Sequence, residues 1–570
     1  MILLPIVARE LRVTSRRAAT YWTRFTAGLL AIVVGSFAWA LLFRQSPRST
    51  GFALFVALSV IAYVYSLLAG VLSTADCVSE EKRDGTLGLL FLTDLKSYDI
   101  VLGKFAASSL TSIYGLLAIF PVMGVPLLLG GVAPAEFWRV VLVCVNNLFF
   151  SLALGMLCST ICKDERKSIG LTLGLTLLLV AGWPGIIAWV ASEIKPPNPL
   201  YRLFHEEPFP LLAPTPGFAC IMAFDIPYKA LLAKQKINWF FISIAIAHGL
   251  AWMCLGLTAL ILPRVWHDKP ATARTVRRRE QWKLWMHGPT DIRASFRRRL
   301  LEINPFYWLA SRDRFKVVLV WLWIGAGALL WMFGLIQARR DWLDETVYVW
   351  TALIMHTFFK CWLAMEASRR LGADRRSGAL ELLLATPLSV NEILRGQWLA
   401  LLRQFGAATA LVCVVDVVFL GLGLKHTYGQ SERNVWVALC LAGIFIFVFD
   451  LATLALLAMW GSLRSRKSSQ AGITAIVRVC ILPWFVFGAL GAVIAILDEV
   501  FHVRPLSTVN SGYVFLAIWF TIAFVNDLLL GAWALQKLRT QFRAVAMERL
   551  ESRAAIWGRW LGRKFARVRK

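Results

Sequence analysis

Long apolar runs separated by short polar breaks dominate the chain. Twelve of these runs are about 20 residues or longer, which is the length a helix needs to cross the hydrocarbon of a bilayer. They lie near 22–43, 52–74, 106–131, 137–161, 169–192, 238–262, 317–336, 347–366, 400–424, 435–460, 472–497 and 512–535. The runs are continuous and do not alternate polar with apolar positions, so they predict helices and not the strands of a barrel. A helix also satisfies its own backbone polar groups, which an isolated strand in lipid cannot do.

Composition agrees with the pattern. Of 570 residues, 58% are hydrophobic and only 17% charged, too little polar surface for a soluble protein of this length. The net charge of +27 changes the picture through its distribution. With the N-terminus placed inside, about 46 of the 61 Lys and Arg fall on loops and tails of one side, the asymmetry that sets membrane orientation. Both termini are therefore expected in the cytoplasm of a cell carrying the chain in its cell membrane, and the charge does not call for a nucleic-acid partner. The ten cysteines lie mostly in or beside the runs and form no metal-ligand spacing. The first dozen residues, MILLPIVARELR, put basic residues after a short apolar stretch, the reverse of a cleaved signal peptide.

One segment occurs twice. From Ser79 against Gly372, 27 positions align without a gap at an offset of 293, and nine are identical: Arg83/Arg376, Gly85/Gly378, Leu87/Leu380, Leu89/Leu382, Leu90/Leu383, Thr93/Thr386, Leu95/Leu388, Ile100/Ile393 and Gly103/Gly396. Fainter echoes flank it. An Arg–acid pair in a short amphipathic stretch opens each half, and a basic loop enters an apolar run through Gly-(Leu/Ile)-Thr in STICKDERKSIGLT and SLRSRKSSQAGIT. The same features in the same order predict an internal duplication of six spans each. Because six is even, both halves insert with one orientation and the repeat is parallel.

The expected organisation is a first six-span domain at 1–263, with an interface helix at 1–20, the doubled loop at 75–105 and an outer loop at 193–237. A basic linker at 264–303 leads to a second six-span domain at 304–535, with its loop at 367–398, and a basic amphipathic tail at 536–570. The linker and tail suit a membrane surface with anionic lipid. Prolines at 196, 197, 208, 214 and 216 forbid one long helix in the outer loop, which reads as an irregular, partly re-entrant cap.

Each copy of the loop has three parts. A charged stretch (SEEKRD, GADRRS) ends in a glycine suited to a left-handed helix stop, then a short and very apolar helix follows, LGLLFL or LELLLA. In the second copy Ser389 and Glu392 have capping-box spacing; in the first, Asp99 occupies the place of Glu392 but Lys96 replaces the serine. Such an apolar helix either folds back on the spans or is covered by a partner.

The segments EEKRDGTLGLLFLTDLKSYDIVLGK and RRSGALELLLATPLSVNEILRGQ resemble the cytoplasmic loop of ABC-2 type transporter permeases. Gly88 and Asp94 depart from that family's Glu and Pro in the first copy, as Ala379 and Gln397 depart from its Thr and Lys in the second. The resemblance implies an all-α polytopic membrane protein with the ABC-2 exporter (type V-like) fold. It also implies a permease that couples ATP hydrolysis by separate ATPase subunits to substrate movement. The loops would be coupling helices carried by Glu80, Glu81, Lys82, Arg83, Gly85, Leu87, Leu90 and Thr93, and by Arg375, Arg376, Gly378, Leu380, Glu381, Leu383, Thr386 and Glu392. Leu87, Leu90, Leu380 and Leu383 would fill a groove on the ATPase while the charges fix orientation at its rim. The partners would be two cytoplasmic ABC ATPase subunits, identical or not, with ATP and Mg bound there; the chain itself has no GxxxxGK[ST] motif.

Ionisable and amide groups within the runs form a second set of candidates: Asn146, Asn147, Asp416 and Asp450, with His248, Asn526 and Asp527 nearby in kind. They read either as a polar path or as interhelical hydrogen bonds and pairing with Lys360 or Arg478. Two other functions stay open on the sequence. A polytopic enzyme acting on lipid-linked substrates would need convergent acids, whereas these are dispersed, and a secondary transporter fits the parallel repeat less well.

Overall fold

The computed structural model describes residues 46–92, 96–194, 208–234, 237–265, 290–311, 315–425, 429–465, 468–501 and 511–548, with scattered positions between. Eleven helices among them are long and apolar enough to cross a membrane. They coincide with eleven of the twelve runs, and no strand occurs among the described residues. Most of the run at 22–43, the interface helix at 1–20 and most of the linker and tail lie outside the described residues. The chain divides into two compact units, Met1–Pro270 with Gly488–Val500, and Ala271–Phe487 with Phe501–Lys570.

In the first unit, α1 (Pro47–Ser73) is capped by Ser46, and α2 (Cys77–Asp84) and α3 (Thr86–Phe91) follow it. Next come α4 (Ser97–Leu129), α5 (Pro134–Ile161), and α6 (Glu165–Leu177), which continues through a π-turn at Leu178–Gly182 into α7 (Trp183–Glu193). The described part of the expected outer loop folds as three short helices, α8 (Phe209–Leu212), α9 (Pro216–Met222) and α10 (Asp225–Lys234), ahead of α11 (Trp239–Val265). Pro210 and Pro216 stand in the first turns of α8 and α9, where a missing N–H costs nothing. Arg139 holds α10 in place by pairing with Asp225 and lying 4.2 Å from the Tyr228 ring. Lys229 and Arg139 together keep the Asp225 carboxyl below its ordinary range.

Helix α5 is the axis of this unit, and α1 approaches it through small residues. A Cβ on Gly70 would run into the carbonyl oxygen of Ser151, and one on Gly155 would meet Thr74 and the Gly70 carbonyl. Close backbone approach of this kind is how helices associate in lipid, where apolar side chains gain little by leaving their surroundings. The Ser151 hydroxyl adds a bond to the Ser66 carbonyl, and that of Thr74 a bond to the Leu152 carbonyl at 2.8 Å.

The second unit contains α12 (Thr290–Ile303), α13 (Pro305–Ser311), α14 (Phe315–Ala338), α15 (Glu345–Arg376), α16 (Ala379–Leu384) and α17 (Val390–Leu401). After a π-turn at Leu402–Gly406 follow α18 (Ala407–Gly423), α19 (Gln430–Arg464), α20 (Ser468–Ile476), the start of α21 (Leu482–Phe501), whose residues Gly488–Val500 group with the first unit, and α22 (Ser511–Met547). Its core joins α15, α19 and α22 around Phe359, Phe447, Leu454, Trp460 and Phe542.

The α1–α5 crossing makes a sharp test. Gly70→Ala should lower the melting temperature of the purified chain clearly, since overpacking a tight contact costs roughly 1–3 kcal/mol. Gly249→Ala, where an added Cβ meets nothing within 4 Å, should leave it unchanged or raise it.

Candidate functional site

Both copies of the doubled loop begin with the same backbone device. Gly85 has φ 70° and Gly378 φ 73°, the left-handed conformation that ends the preceding helix and turns the chain. An L side chain there strains the backbone by roughly 1–2 kcal/mol even though nothing crowds either position. Immediately after, α3 and α16 fold back on their own units. Leu87 is 2% exposed, packed with Val78, Ile100, Leu154, Leu255 and Leu262. Leu380 is fully buried among Leu371, Ile393, Leu538 and Phe542.

This corrects the expectation that Leu87 and Leu380 enter a partner's groove, because each is already spent on its own core. Leu383 is half-buried against the same core as Leu380. The side chain of Leu90, and Thr93 altogether, lie outside the described residues. The exposed apolar residues are instead Leu89 (63%), Leu92 (79%) and Leu382 (74%). A six-residue helix shows one face to the core and the other outward, and helical spacing places Leu89 and Leu382 on the outward face.

The charges are also used within the chain. Glu81 pairs with Lys104 of α4 at 2.7 Å, both side chains largely buried, and its second carboxylate oxygen accepts from the Thr86 hydroxyl. Lys82 donates to the Thr160 carbonyl in the last turn of α5. Arg83 forks onto Asp76 at 2.7 and 2.9 Å and reaches the Lys163 carbonyl at 3.0 Å. At the position aligned with Lys82 in the second unit, Arg375 donates to the Glu548 carbonyl just beyond α22, at 2.8 Å. Aligned cations thus sit at helix C-termini, where the carbonyls lack partners and the helix dipole favours positive charge. The helix served differs: α5 in the first unit, α22 in the second. Glu80 is half-buried, while Arg376 and Glu381 are exposed.

The exits of the loops differ in chemistry. Ser389 and Glu392 complete the reciprocal capping box, with the Ser389 N–H donating to Glu392 Oε2 at 2.7 Å and the Glu392 N–H to Ser389 Oγ at 3.3 Å. In the first unit only half of it forms. The Lys96 N–H donates to Asp99 at 3.3 Å, but a lysine has no lone pair with which to answer. Thr386 closes α16 by donating to the Leu383 carbonyl at 2.6 Å.

Three residues not picked out by the sequence pattern position the loops. Ser159 accepts the N–H groups of Val78 and Ser79 at 2.9 and 3.0 Å, capping α2 after the helix is interrupted at Thr74. In the second unit Ala367 stands in the aligned place of Thr74, and α15 runs through unbroken. Lys104 has Gln397 as its aligned counterpart, buried and with its side-chain oxygen lacking a hydrogen bond. Asn304 caps α13 at the Tyr307 N–H and donates to the Glu392 carbonyl at 2.9 Å, tying α13 to the loop exit.

The polar candidates in the spans are each engaged within their own unit. Asn147 donates to the Ser66 hydroxyl at 2.9 Å and Asn146 to the Ile244 carbonyl at 3.3 Å. Trp252 donates to Nε2 of His248 at 3.1 Å, so the His248 Nδ1–H is left to donate to Asn146, also at 3.1 Å. Asp416 lies 2.8 Å from His356, which stacks on Phe447, and Asp450 pairs with Lys360.

The fold is that of an all-helical, multi-pass membrane protein. Residues 14–251 match the family model described as an ABC-2 family transporter protein, and the match supports an ABC-2 type permease. No curated protein matches the chain.

Charge inversion tests the Glu81–Lys104 link. Glu81→Lys should raise amide exchange across 86–92 by tenfold or more, because breaking a largely buried pair costs about 3–5 kcal/mol. The double variant Glu81→Lys with Lys104→Glu should recover most of that protection. Equal exchange in the single and double variants would remove the pair from the account.

Proposed function

We propose that the chain is the transmembrane permease of an ABC exporter, driven by separate ATPase subunits that dock on α3 and α16. The supporting observation is the division of labour in each short helix. Leu87 and Leu380 are sunk in the core, while Leu89, Leu92 and Leu382 stand exposed beside charges already committed to intramolecular partners. An exposed leucine on a mobile loop would lose its entropy on binding; on a helix anchored through its opposite face that cost is largely paid at folding. A push on such a helix is delivered to the spans packed under it.

On this reading ATP and Mg are bound by the partner subunits, and the permease supplies no P-loop. The loops, both termini and the basic segments face the cytoplasm, with the spans in the cell membrane and the tail and linker on anionic lipid. The handles differ: the first exposes Leu89 and Leu92 beside Gly88, the second Leu382 beside Glu381, with Ala385 in the place of Leu92. Two non-identical ATPase subunits suit that difference. The expected cargo moves outward.

The test is retention of ATP hydrolysis with the tagged chain solubilised from its native membranes. Combining Leu89→Asp, Leu92→Asp and Leu382→Asp should reduce co-purifying ATPase activity about tenfold or more, since two or three buried leucines at an interface are worth well over 1.4 kcal/mol. Chain abundance should not change, because all three side chains are exposed. Undiminished ATPase retention would overturn the docking faces.

A further inference from the structure

The second unit holds more ionisable side chains within its spans than its ion pairs account for. On α15, His356 faces Asp416 of α18, and one turn on Lys360 pairs with Asp450 of α19. Asp527 of α22 stands beside the Asp450 turn of α19, is 1% exposed, and has an Oδ2 with no hydrogen-bond partner. Its other oxygen receives only a long contact, 3.4 Å, from Asn526. The helices meet here through Thr453, one turn after Asp450, whose hydroxyl donates to the Asp527 carbonyl.

Charge accounting over every element packed around the site leaves one carboxylate over. Helix α15 offers the Lys360 ammonium and the imidazole of His356, which is taken by Asp416. Helix α18 offers Asp416, α19 Asp450 and α22 Asp527. The adjoining π-turn at Val477–Ile481 brings Arg478, whose side chain is exposed and whose carbonyl accepts from Asn526. One ammonium therefore serves two neighbouring carboxylates inside a membrane-spanning bundle, where an uncompensated charge is very costly and adjacent carboxylates cannot both ionise.

We propose that Asp527 and Asp450 form a proton-binding site within the membrane-spanning part of the second unit, with Lys360 balancing one carboxylate and a single bound proton neutralising the other. The proton comes from water, forms an O–H bond on the Asp527 carboxyl directed at Asp450, and leaves the cluster with no net charge. No redox step is involved. The corresponding helix of the first unit has the amides Asn146 and Asn147 in place of a carboxylate, so among the described residues the acid pair is a feature of the second unit. Proton release would place a bare negative charge between α19 and α22, and the packing of those helices is what a proton would control. The site does not depend on the ATPase reading.

The experiment is infrared spectroscopy of the full-length chain in lipid nanodiscs at neutral pH, following the carbonyl stretch of protonated carboxylic acid. Wild type should show a band that shifts in deuterium oxide and vanishes in Asp527→Asn, while Asp416→Asn retains it. Asp450→Asn is the second variant: with its counter-ion gone, Lys360 should pair with Asp527, and the band should vanish although Asp527 is intact. Absence of the band in wild type, or its survival in Asp527→Asn or Asp450→Asn, would overturn the proposal.

Discussion

Burial of one leucine two residues after a left-handed glycine is the contact on which the rest of this structure hangs. Leu87 after Gly85 and Leu380 after Gly378 each pin a six-residue helix to the spans beneath it. Helices so short have no stability of their own, since nucleation consumes nearly all that their few hydrogen bonds return. A buried leucine, worth roughly 1.5–3 kcal/mol, supplies what propensity cannot. Once that face is fixed inward, helical geometry forces the next leucine, Leu89 or Leu382, outward. Exposed apolar surface is thus a consequence of the anchoring and not an oversight of the fold.

The charged residues before each glycine complete the anchoring by different routes. Lys82 and Arg375 occupy aligned positions and both end on helix-terminal carbonyls, yet one serves Thr160 after the long α5 and the other Glu548 after α22. Glu81 adds an ion pair to α4, for which the second unit has only Asp374, turned to Arg370, and an unsatisfied Gln397. A force applied to α3 is carried chiefly into the third and fourth runs of its unit, and one applied to α16 into the last helix of its own. The two loops share the handle and differ in what lies behind it.

Much of this was legible in the sequence. Eleven apolar runs became spans because length and hydropathy alone decide that question, and the positions of Gly85 and Gly378 followed from the helix-stop rule. Fold-back against docking was a different matter. Periodicity says that a helix has an apolar face but not which leucines it buries, so Leu87 and Leu380 were assigned to a partner when Leu89, Leu92 and Leu382 are the ones exposed. The charges read as a rim because their partners, Lys104, Thr160 and Glu548, are between 23 and 173 residues away. Two of these partners are backbone carbonyls, which no sequence pattern announces. The span acids were visible as anomalies, and pairing of Asp450 with Lys360 was anticipated, but the meeting of Asp450 with Asp527 depends on helix rotation that composition does not encode.

The central claim is that each short helix turns one leucine into its own unit and the next toward a cytoplasmic partner. Single cysteines placed at 87, 89, 380 and 382 in a cysteine-free chain, probed in inside-out vesicles with a membrane-impermeant maleimide, test it directly. The account predicts fast labelling at 89 and 382 and protection at 87 and 380. Equal labelling at all four positions, or labelling at 89 and 382 only in right-side-out vesicles, would contradict it.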